Sequence, residues 1–319
     1  CAKKSGIPIT ACHVVHDMRP ESETSKDVEC VKRACEKLGV ELRIEKVSAA
    51  HLAGNAENNY RYLRRLSLYS VAQSFETETE ECISYIATGH HADDQLETII
   101  MKLCRGTGLE GLSGIAETAV YDDKFANPKF IRPMLSIIKR DIYEICKENE
   151  IEFVEDSTNK DLDLTRNAIR EKVLPVLRDL FPKCAEHSTT AAKSVRSAIN
   201  LVEEKLEALI PFENIDFSPT LQCRIRIEAL QVSEDVVIHA WLRKAVNRLP
   251  NPRLDRINSA MYNEVIMAIR LRKHKTLQWN DKTFIIVDRD FVIVKYSERV
   301  CFIAENKSIT FAELPTVAD

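Results

Sequence analysis

Residues 90–114 constrain the fold of this chain more than any other segment. They read HHADDQLETIIMKLCRGTGLEGLSG, with two histidines and three carboxylates inside the first eight residues. The apolar run 83–88 before them predicts a short buried strand, and Gly89 predicts the turn after it. Four of the chain's eight glycines then fall within nine residues. The segment therefore predicts a strand, a helix with an acidic start and a glycine-rich loop in succession.

Strands and helices are predicted to alternate through the first half of the chain. The apolar pattern predicts strands at about 9–15, 41–47, 83–88, 129–132 and 151–154, and helices at about 22–38, 56–75, 93–104, 136–148 and 164–180. This alternation favours an α/β fold with a mostly parallel, doubly wound sheet. Such sheets bind ligands at the carboxyl ends of their strands, which is where residues 90–97 are expected to lie.

A long helix predicted at about 184–209 divides the chain. We expect a catalytic domain at 1–183, a linking helix at 184–212 and a smaller domain at 213–319. In the smaller domain the pattern predicts helices at about 233–248 and 253–272 and strands near 276–279, 283–288 and 291–295. No glycine follows Gly114, so few tight turns with positive φ are expected there, and the smaller domain is predicted to be helix-rich.

Composition and charge narrow the function classes. Hydrophobic residues make up 45% of the 319 and charged residues 29%, which is ordinary for a globular protein. No apolar run approaches the roughly 18 residues that span a bilayer, and no basic-then-apolar leader is present, so we expect a cytoplasmic protein without membrane contact. Residues 1–220 carry a net charge of −8 and residues 221–300 a net charge of +6. The basic part suits contact with a polyanion, although ordinary solvated surface also accounts for it.

The ten cysteines do not suggest a metal or redox centre. None of them forms a CxxC pair, so zinc, iron–sulfur and thioredoxin-like sites lose their usual sequence support. Cys104 and Cys146 lie in apolar patterns and are interpreted as small core residues in a reducing compartment.

Two interpretations of the acidic cluster remain open at this point. Asp94 and Glu97 have the spacing of a capping box, in which both would only satisfy backbone amides. Capping leaves His90, His91 and Asp93 unexplained, and it leaves Arg105 unexplained at the mouth of the glycine-rich loop. A third carboxylate at one helix start raises the local proton affinity unless a cation compensates. We therefore favour a functional acidic site.

The same residues resemble a known family. HHADDQLET followed by RGTGLEGLSGI is similar to the signature of the tRNA(Ile)-lysidine synthetases, which belong to the N-type ATP pyrophosphatase group. Three further regions agree in the family's order, namely HVVHDMRPES at 13–22, YRYLR at 60–64, and IRPMLSIIKRDI with EDSTNKDLDLTRNAIREKVLPVL at 131–177. The resemblance covers residues 8–180 well and 185–300 loosely.

The resemblance implies a tRNA-modifying ligase. Enzymes of this family use ATP with Mg²⁺ to adenylate the wobble cytidine of a CAU-anticodon tRNA(Ile), and L-lysine then displaces AMP to give lysidine. The implied partners are thus this tRNA and lysine, and a homodimer is left open.

The resemblance also implies roles for the residues of this chain that stand at the family's motif positions. The implied catalytic residues are Asp94, Glu97, His90 and Arg105, and the implied ATP-binding residues are His16, Arg19, Gly106 and Gly108. The implied substrate and tRNA contacts are Arg132, Asp156, Asn159, Arg166, Asn167 and Arg170. Asp93 or Asp94 is the implied Mg²⁺ ligand. Arg166 and Arg170 could instead pair locally with Asp163 and Glu171, since they share a helix face.

Two departures from the family pattern matter. The SGGxDS loop that cradles the ATP phosphates is absent, which predicts a fragment lacking the first strand and having little activity of its own. Val15 and Asp17 stand where the family usually has Asp and Gly. The alternatives are a catalytically inactive tRNA-binding fragment and a related ATP-dependent enzyme that modifies tRNA cytidine. A 2-thiocytidine synthetase normally needs a cysteine pair that this chain lacks. An ATP pyrophosphatase acting on a small molecule comes third.

Overall fold

The computed structural model describes residues 6–17, 19–49, 56–79, 85–120, 128–155, 164–209, 213–217, 220–249, 259–279 and 282–297. The chain divides into two units. One contains residues 1–105 and 109–195, and the other contains residues 106–108 and 196–319. The division falls inside the long helix that the sequence predicts as a linker. The functional assignment of the two domains stays a prediction.

The first unit alternates strands and helices as predicted. Its elements are β1 (Thr10–His16), α1 (Glu21–Leu38), β2 (Glu41–Val47), α2 (Ala56–Thr79), β3 (Tyr85–Ala87), α3 (Ala92–Cys104), α4 (Leu109–Leu112), β4 (Thr118–Ala119), β5 (Lys129–Ile131), α5 (Lys139–Glu148), α6 (Thr165–Ala168), α7 (Leu174–Leu180) and the start of α8 (Cys184–Leu209). A π-helical turn at Ile169–Val173 joins α6 to α7. Gly39 caps the C-terminus of helix α1, as predicted, with φ of 59°.

Parallel pairing confirms the predicted α/β class. Strand β1 pairs with β2 in parallel, with Thr10 opposite Glu41. Strand β3 pairs with β5 in parallel, and the short β4 pairs with β5 in the antiparallel sense. The described strands of this unit thus form a two-stranded and a three-stranded sheet, where the sequence predicts one open sheet. Helix α2 packs on the second of these through Tyr69, whose ring meets that of Phe130 edge-on.

Two local predictions were wrong. The segment 151–154 is not a strand, and Ile151 and Phe153 are about half exposed, because no described strand pairs with it. Cys104 is exposed rather than a core residue, since it is the last residue of α3, and Cys146 is only half-buried. Buried thiols do occur at Cys30 and Cys35.

The second unit combines the predicted helices with an antiparallel sheet. Its elements after α8 are β6 (Glu213–Phe217), β7 (Thr220–Arg226), α9 (Ile227–Gln231), α10 (Asp235–Asn247), α11 (Ser259–Arg270), β8 (Lys275–Gln278), β9 (Thr283–Val287) and β10 (Phe291–Tyr296). The strand order is β6-β7-β10-β9-β8. The last three strands were predicted, whereas β6 and β7 were not. The core centres on Trp241, which is 1% exposed.

No helix among the described residues is long and apolar enough to cross a membrane.

Candidate functional site

Helix α3 begins at a histidine cap. His91 is the N-cap, and its Nδ1 accepts from the amide of Asp94 at 3.4 Å. In return, Oδ2 of Asp94 accepts from the His91 amide at 3.0 Å. A capping box therefore exists, but it joins His91 to Asp94. The alternative that paired Asp94 with Glu97 was wrong, and the Glu97 carboxylate is left for other partners.

Glu97 is the most deeply buried carboxylate of this cluster, with 1% exposure. Its Oε1 accepts from Nε of Arg170 at 2.7 Å, and its Oε2 accepts from Nη2 of the same residue at 3.0 Å. Oε2 also accepts from Nε of Arg166 at 2.7 Å. Burial alone would lower the pKa of Arg170, but the Glu97 carboxylate outweighs it and raises that pKa. Glu97 is thus fully engaged by two guanidinium groups.

Arg166 bridges two carboxylates of α3. Besides Glu97, its Nη2 donates to Oδ1 of Asp94 at 3.0 Å. The local partner Glu171, considered from the sequence, is not the one Arg166 takes, and Asp163 lies outside the described residues. Helix spacing alone could not reveal the actual partners, which lie about seventy positions earlier in the chain.

The Asp93 carboxylate, in α3, contacts both α5 and α7. It is 4% exposed, and its Oδ2 accepts from the Lys139 amide, the first of α5, at 2.6 Å. Its Oδ1 accepts from Nη2 of Arg178 in α7 at 2.5 Å. Burial opposes ionisation of Asp93, but the Lys139 amide and Arg178 outweigh it and lower the pKa. The sequence singled out neither Arg178 nor the Lys139 amide, because only the tertiary fold brings them to α3.

Apolar packing holds the arginine-bearing helix against α3. Ala92 and Leu96 of α3 form one buried cluster with Ile169 of the π turn and with Leu174 of α7. Ala92 and Leu174 are both fully buried. Three carboxylates of one helix start therefore face three arginines on a second helical segment. We call this set the carboxylate–arginine cluster: Asp93, Asp94, Glu97, Arg166, Arg170 and Arg178.

His90 lies beside the cluster and is uncharged at neutral pH. Burial, more than any other cause, lowers its pKa to about 4, and the positive charges of Arg132 and Arg166 act in the same direction against the opposing Asp94. Thr88 Oγ1 lies 3.0 Å from Nδ1 of His90. The imidazole is therefore a neutral, oriented hydrogen-bonding group.

Arg132 and the turn before it close one side of this region. Arg132 is 5% exposed and donates from Nη1 to the Ala116 carbonyl at 2.5 Å. Gln95 in α3 accepts from the amide of Ile115 at 2.5 Å. Gly114 has φ of 59°, and a Cβ there would overlap the Gln95 amide, so glycine is required. The sequence did not single out Gln95.

Other predicted site residues are placed elsewhere or not described. Arg105 is the exposed C-cap of α3, and no described contact joins it to the carboxylates. Gly106 has φ of 75° and is exposed. Asn167 is 7% exposed. Asp156 and Asn159 lie outside the described residues, and the roles assigned to Arg105, Gly106 and Gly108 stay predictions.

The end of β1 carries the two residues predicted to bind the nucleotide. Arg19 forms an ion pair with Asp27 of α1. The ring of His16 lies 5.6 Å from that of Tyr60 in α2. Asp17 accepts from Ser48 Oγ at 2.5 Å and from the Tyr60 hydroxyl, and these hydrogen bonds lower its pKa. Asp17 therefore ties the end of β1 to α2 and to the residue after β2.

The described donors do not form a ready cation site. Among described residues no group of three or more His, Cys, Asp or Glu side chains is arranged to hold a metal ion. Both oxygens of Asp93 accept from protein donors, and both oxygens of Asp94 face His91 or Arg166. The Mg²⁺ assignment to Asp93 or Asp94 stays a prediction.

Comparison with known proteins identifies the family. The family model of the PP-loop domain matches residues 1–177, which is more than half of the chain. A tRNA(Ile)-lysidine synthase from Francisella philomiragia is 24% identical over 311 residues, covering 96% of this chain and 72% of that protein. The enzyme of the same name from Buchnera aphidicola is 26% identical over 315 residues, covering 97% and 63%.

Further comparisons cover shorter spans. The tRNA(Ile)-lysidine synthase of Bacillus licheniformis is 34% identical over 170 residues, covering 53% of this chain and 34% of that protein. The chain thus spans between about a third and three quarters of these relatives. A solved U34-tRNA thiolase from Methanococcus maripaludis superposes with a TM-score of 0.46 at 16% identity, covering 60% of this chain and 64% of that chain. The resemblance seen in the sequence motifs is confirmed, and the chain belongs to the family of PP-loop domain proteins, whose members use ATP.

Proposed function

We propose that this chain is the PP-loop part of a tRNA-modifying ligase that attaches L-lysine to the wobble cytidine of a CAU-anticodon tRNA(Ile). The names of its relatives support the substrate class. The observation that carries the proposal is the carboxylate–arginine cluster at the start of α3, where an ammonium group can be bound beside guanidinium groups that suit an anion. Bound ATP would supply the adenylyl group that activates the cytidine.

The cluster suggests that Asp94 and Glu97 have different roles. Asp94 and Arg166 have side chains that are 12% and 19% exposed, whereas Glu97 is 1% exposed. An incoming lysine ammonium therefore reaches Asp94 first, and Glu97 holds the guanidinium groups in place. Since three carboxylates already face three arginines, an added cation must compete with Arg166 for Asp94. The released Arg166 would then be available to a phosphate group.

Proton transfer fits the same arrangement. The lysine ε-amine has a pKa of about 10.4 in water and must lose a proton before attack. Asp94, hydrogen-bonded to the ammonium, is the group best placed to accept this proton. His90, with a pKa of about 4, adds no positive charge next to the ammonium and can orient it through a neutral hydrogen bond.

No step of this proposal passes through a metal ion. The oxygens of Asp93 already bind the Lys139 amide and Arg178, so Asp93 does not suit an open Mg²⁺ position. Mg²⁺ bound together with ATP would have to find its protein ligands elsewhere. The proposal also includes a cytoplasmic location and a homodimer.

The test is incorporation of labelled lysine into a CAU-anticodon isoleucine tRNA. We expect ATP-dependent incorporation by a version of the chain that carries an SGGxDS strand and loop ahead of Cys1, with little incorporation by the 319 residues alone. A tRNA that differs only in its anticodon is the matched control and should stay unlabelled. Binding of the CAU tRNA without incorporation by either version would favour the inactive tRNA-binding alternative.

A further inference from the structure

The five-stranded sheet of the second unit has two chemically different faces. Because side chains alternate along a strand, every second residue of β7 and β10 points to the same side. Cys223 and Ile225 of β7, together with Val292 and Val294 of β10, are buried in the core beneath the helices. The alternate residues form the opposite row, which we call the outer face.

The outer face brings two arginines onto one aromatic ring. Arg226 lies directly opposite Phe291 in the register, and Arg224 lies opposite Ile293. The guanidinium carbons of Arg224 and Arg226 lie 5.0 Å and 5.6 Å from the centre of the Phe291 ring. Both distances are within cation–π range, so the ring pre-positions both cations.

These two arginines differ from several other cations of the unit that the structure describes. Four cations on the helical side of the unit have a carboxylate partner, in the pairs Lys205–Glu234, Lys244–Glu207, Arg270–Asp235 and Arg272–Glu228. Among the residues whose side chains the structure describes, no carboxylate lies within ion-pair distance of Arg224 or Arg226. Glu213 of β6 takes the register position opposite Arg224, and Lys295 adds a third cation to the same face.

One atom of this arrangement lacks a partner. Nε of Arg224 is buried and has no hydrogen-bond acceptor among the described residues. A buried N–H without an acceptor is unfavourable, and an anionic ligand that supplies an oxygen would remove that cost. Arg226 beside it is exposed and can reach the same ligand.

We propose that the outer face binds RNA, with Arg224 and Arg226 contacting phosphate oxygens and with Phe291 and the guanidinium planes offering surfaces to an unstacked base. Arginine pairs bidentately with phosphate and stacks on planar groups, and both modes are used in RNA recognition. The proposal rests on the proposed function, which supplies a tRNA as the ligand. It places the contact on the sheet, away from the α10 cations, of which Lys244 is already paired.

The experiment compares two double variants of the full chain. In Arg224→Gln with Arg226→Gln the outer face loses two charges. In the control, Lys205→Gln with Arg272→Gln, two exposed, paired cations of the same unit are removed. The probe is a CAU-anticodon isoleucine tRNA transcript, titrated by fluorescence anisotropy at several salt concentrations. Circular dichroism melting checks folding, and the single variant Arg226→Gln serves if the double variant melts early.

We expect the outer-face variant to lose affinity about tenfold or more, since hydrogen bonds to charged groups are stronger than those between neutral groups. Its slope of log affinity against log salt should fall by about one to two units, because each phosphate contact contributes roughly 0.7–0.9. The control should change affinity less than about twofold. An affinity and slope equal to the wild-type values would overturn the proposal, as would failure of the wild type to bind any RNA.

Two further outcomes separate this proposal from the proposed function. The same titration uses the tRNA with an altered anticodon. Equal wild-type affinity for both tRNAs, with the outer-face variant weak on both, would contradict the CAU specificity and leave the RNA-binding face in place. If the variant keeps full RNA affinity but sedimentation shows that it has lost self-association, the face joins two copies of the chain and the RNA proposal is wrong.

Discussion

At the scale of single residues, Glu97 is the centre of the candidate site. Its two oxygens accept three hydrogen bonds from Arg166 and Arg170 while the side chain is 1% exposed. Such a group cannot be an accessible ligand for lysine without first losing its arginines. Asp94, which shares Arg166 and is more exposed, is better placed for contact with substrate. Two carboxylates three positions apart on one helix therefore have different physical roles.

Glu97→Gln should destabilise the first unit more than Asp94→Asn does. Removing one partner of a buried ion pair typically costs about 3–5 kcal/mol, because the remaining charges stay buried without compensation. Asp94 keeps its capping geometry when the carboxylate becomes an amide, so we expect a loss of about 1–2 kcal/mol there. Urea unfolding followed by far-ultraviolet circular dichroism measures both. Equal losses would show that the burial of Glu97 does not matter.

The lowered pKa of His90 makes stability depend on pH. In the folded protein His90 has a pKa of about 4, below the value of about 6.5 expected for the unfolded chain. Between these values the unfolded state binds a proton that the folded state does not, so the free energy of unfolding falls as pH falls from about 6.5 toward 4.

His90→Asn should flatten this part of the profile. Each unit of pKa difference is worth about 1.4 kcal/mol, so a wild-type loss of up to about 3 kcal/mol is expected over the window. His187→Asn, a change at an exposed histidine of α8, should leave the profile unaltered. Urea midpoints at pH 7, 6, 5 and 4.5 measure it. A slope in His90→Asn as steep as in the wild type would rule out His90 as its source.

At the scale of elements, the π turn sets which arginines reach α3. In a regular α-helix, residues 166 and 178 would be about 120° apart around the axis. The wider turn at Ile169–Val173 reduces this angle and brings Arg178 to Asp93 while Arg166 faces Asp94. Pro175 explains the irregularity, because it has no amide hydrogen for the Glu171 carbonyl and its ring crowds that group.

The contact of Asp93 with Arg178 should be worth more than an exposed ion pair. A double-mutant cycle with Asp93→Asn and Arg178→Gln should give a coupling energy of about 1–2 kcal/mol, since the Asp93 side chain is 5% exposed although the Arg178 side chain is 41% exposed. The matched control is Lys193 with Glu117, both more than half exposed, where we expect below about 0.5 kcal/mol. Unfolding in urea gives all four free energies. If both cycles gave the same coupling, the proposed tether of Asp93 to α7 would be wrong.

Sequence patterns predicted the helices and strands better than the side-chain contacts between them. The apolar periodicity and the cap at Gly39 predicted α1. The acidic start and the glycine-rich loop predicted where α3 begins and ends. Strand β7 was missed although Gln222, Cys223, Arg224 and Ile225 alternate in polarity, a period typical of strands. The cluster around Glu97 could be predicted only in part, because contacts such as Arg178 to Asp93 depend on a π turn that periodicity does not reveal.

At the scale of the whole molecule, the two units carry different chemistry. The first contains the carboxylate–arginine cluster, and the second contains the basic outer face and its own apolar core. Both tryptophans of the chain, Trp241 and Trp279, are buried in the second unit. Tryptophan fluorescence therefore reports on the second unit alone, while circular dichroism reports on both.

This distribution allows the units to be tested separately. In Glu97→Gln the circular dichroism transition should shift to lower urea while the fluorescence transition stays within error of the wild type. Val292→Ala, in the sheet of the second unit, should instead shift the fluorescence transition to lower urea. Because the Val292 side chain is fully buried, we expect the free energy of unfolding to fall by about 2–3 kcal/mol. Coincident shifts of both signals in both variants would mean that the chain unfolds as one cooperative body.

The central claim, that Asp94 receives the lysine ammonium, is tested most directly by lysine saturation kinetics. The measurement uses the version of the chain that carries the SGGxDS loop, with CAU tRNA and ATP in excess. It compares Asp94→Asn with Asp141→Asn, a half-exposed first-turn carboxylate of α5. We expect the KM for lysine to rise about tenfold or more in Asp94→Asn, because an amide binds an ammonium less well than a carboxylate does, and to stay unchanged in Asp141→Asn. An unchanged KM for lysine in a folded Asp94→Asn would contradict the claim.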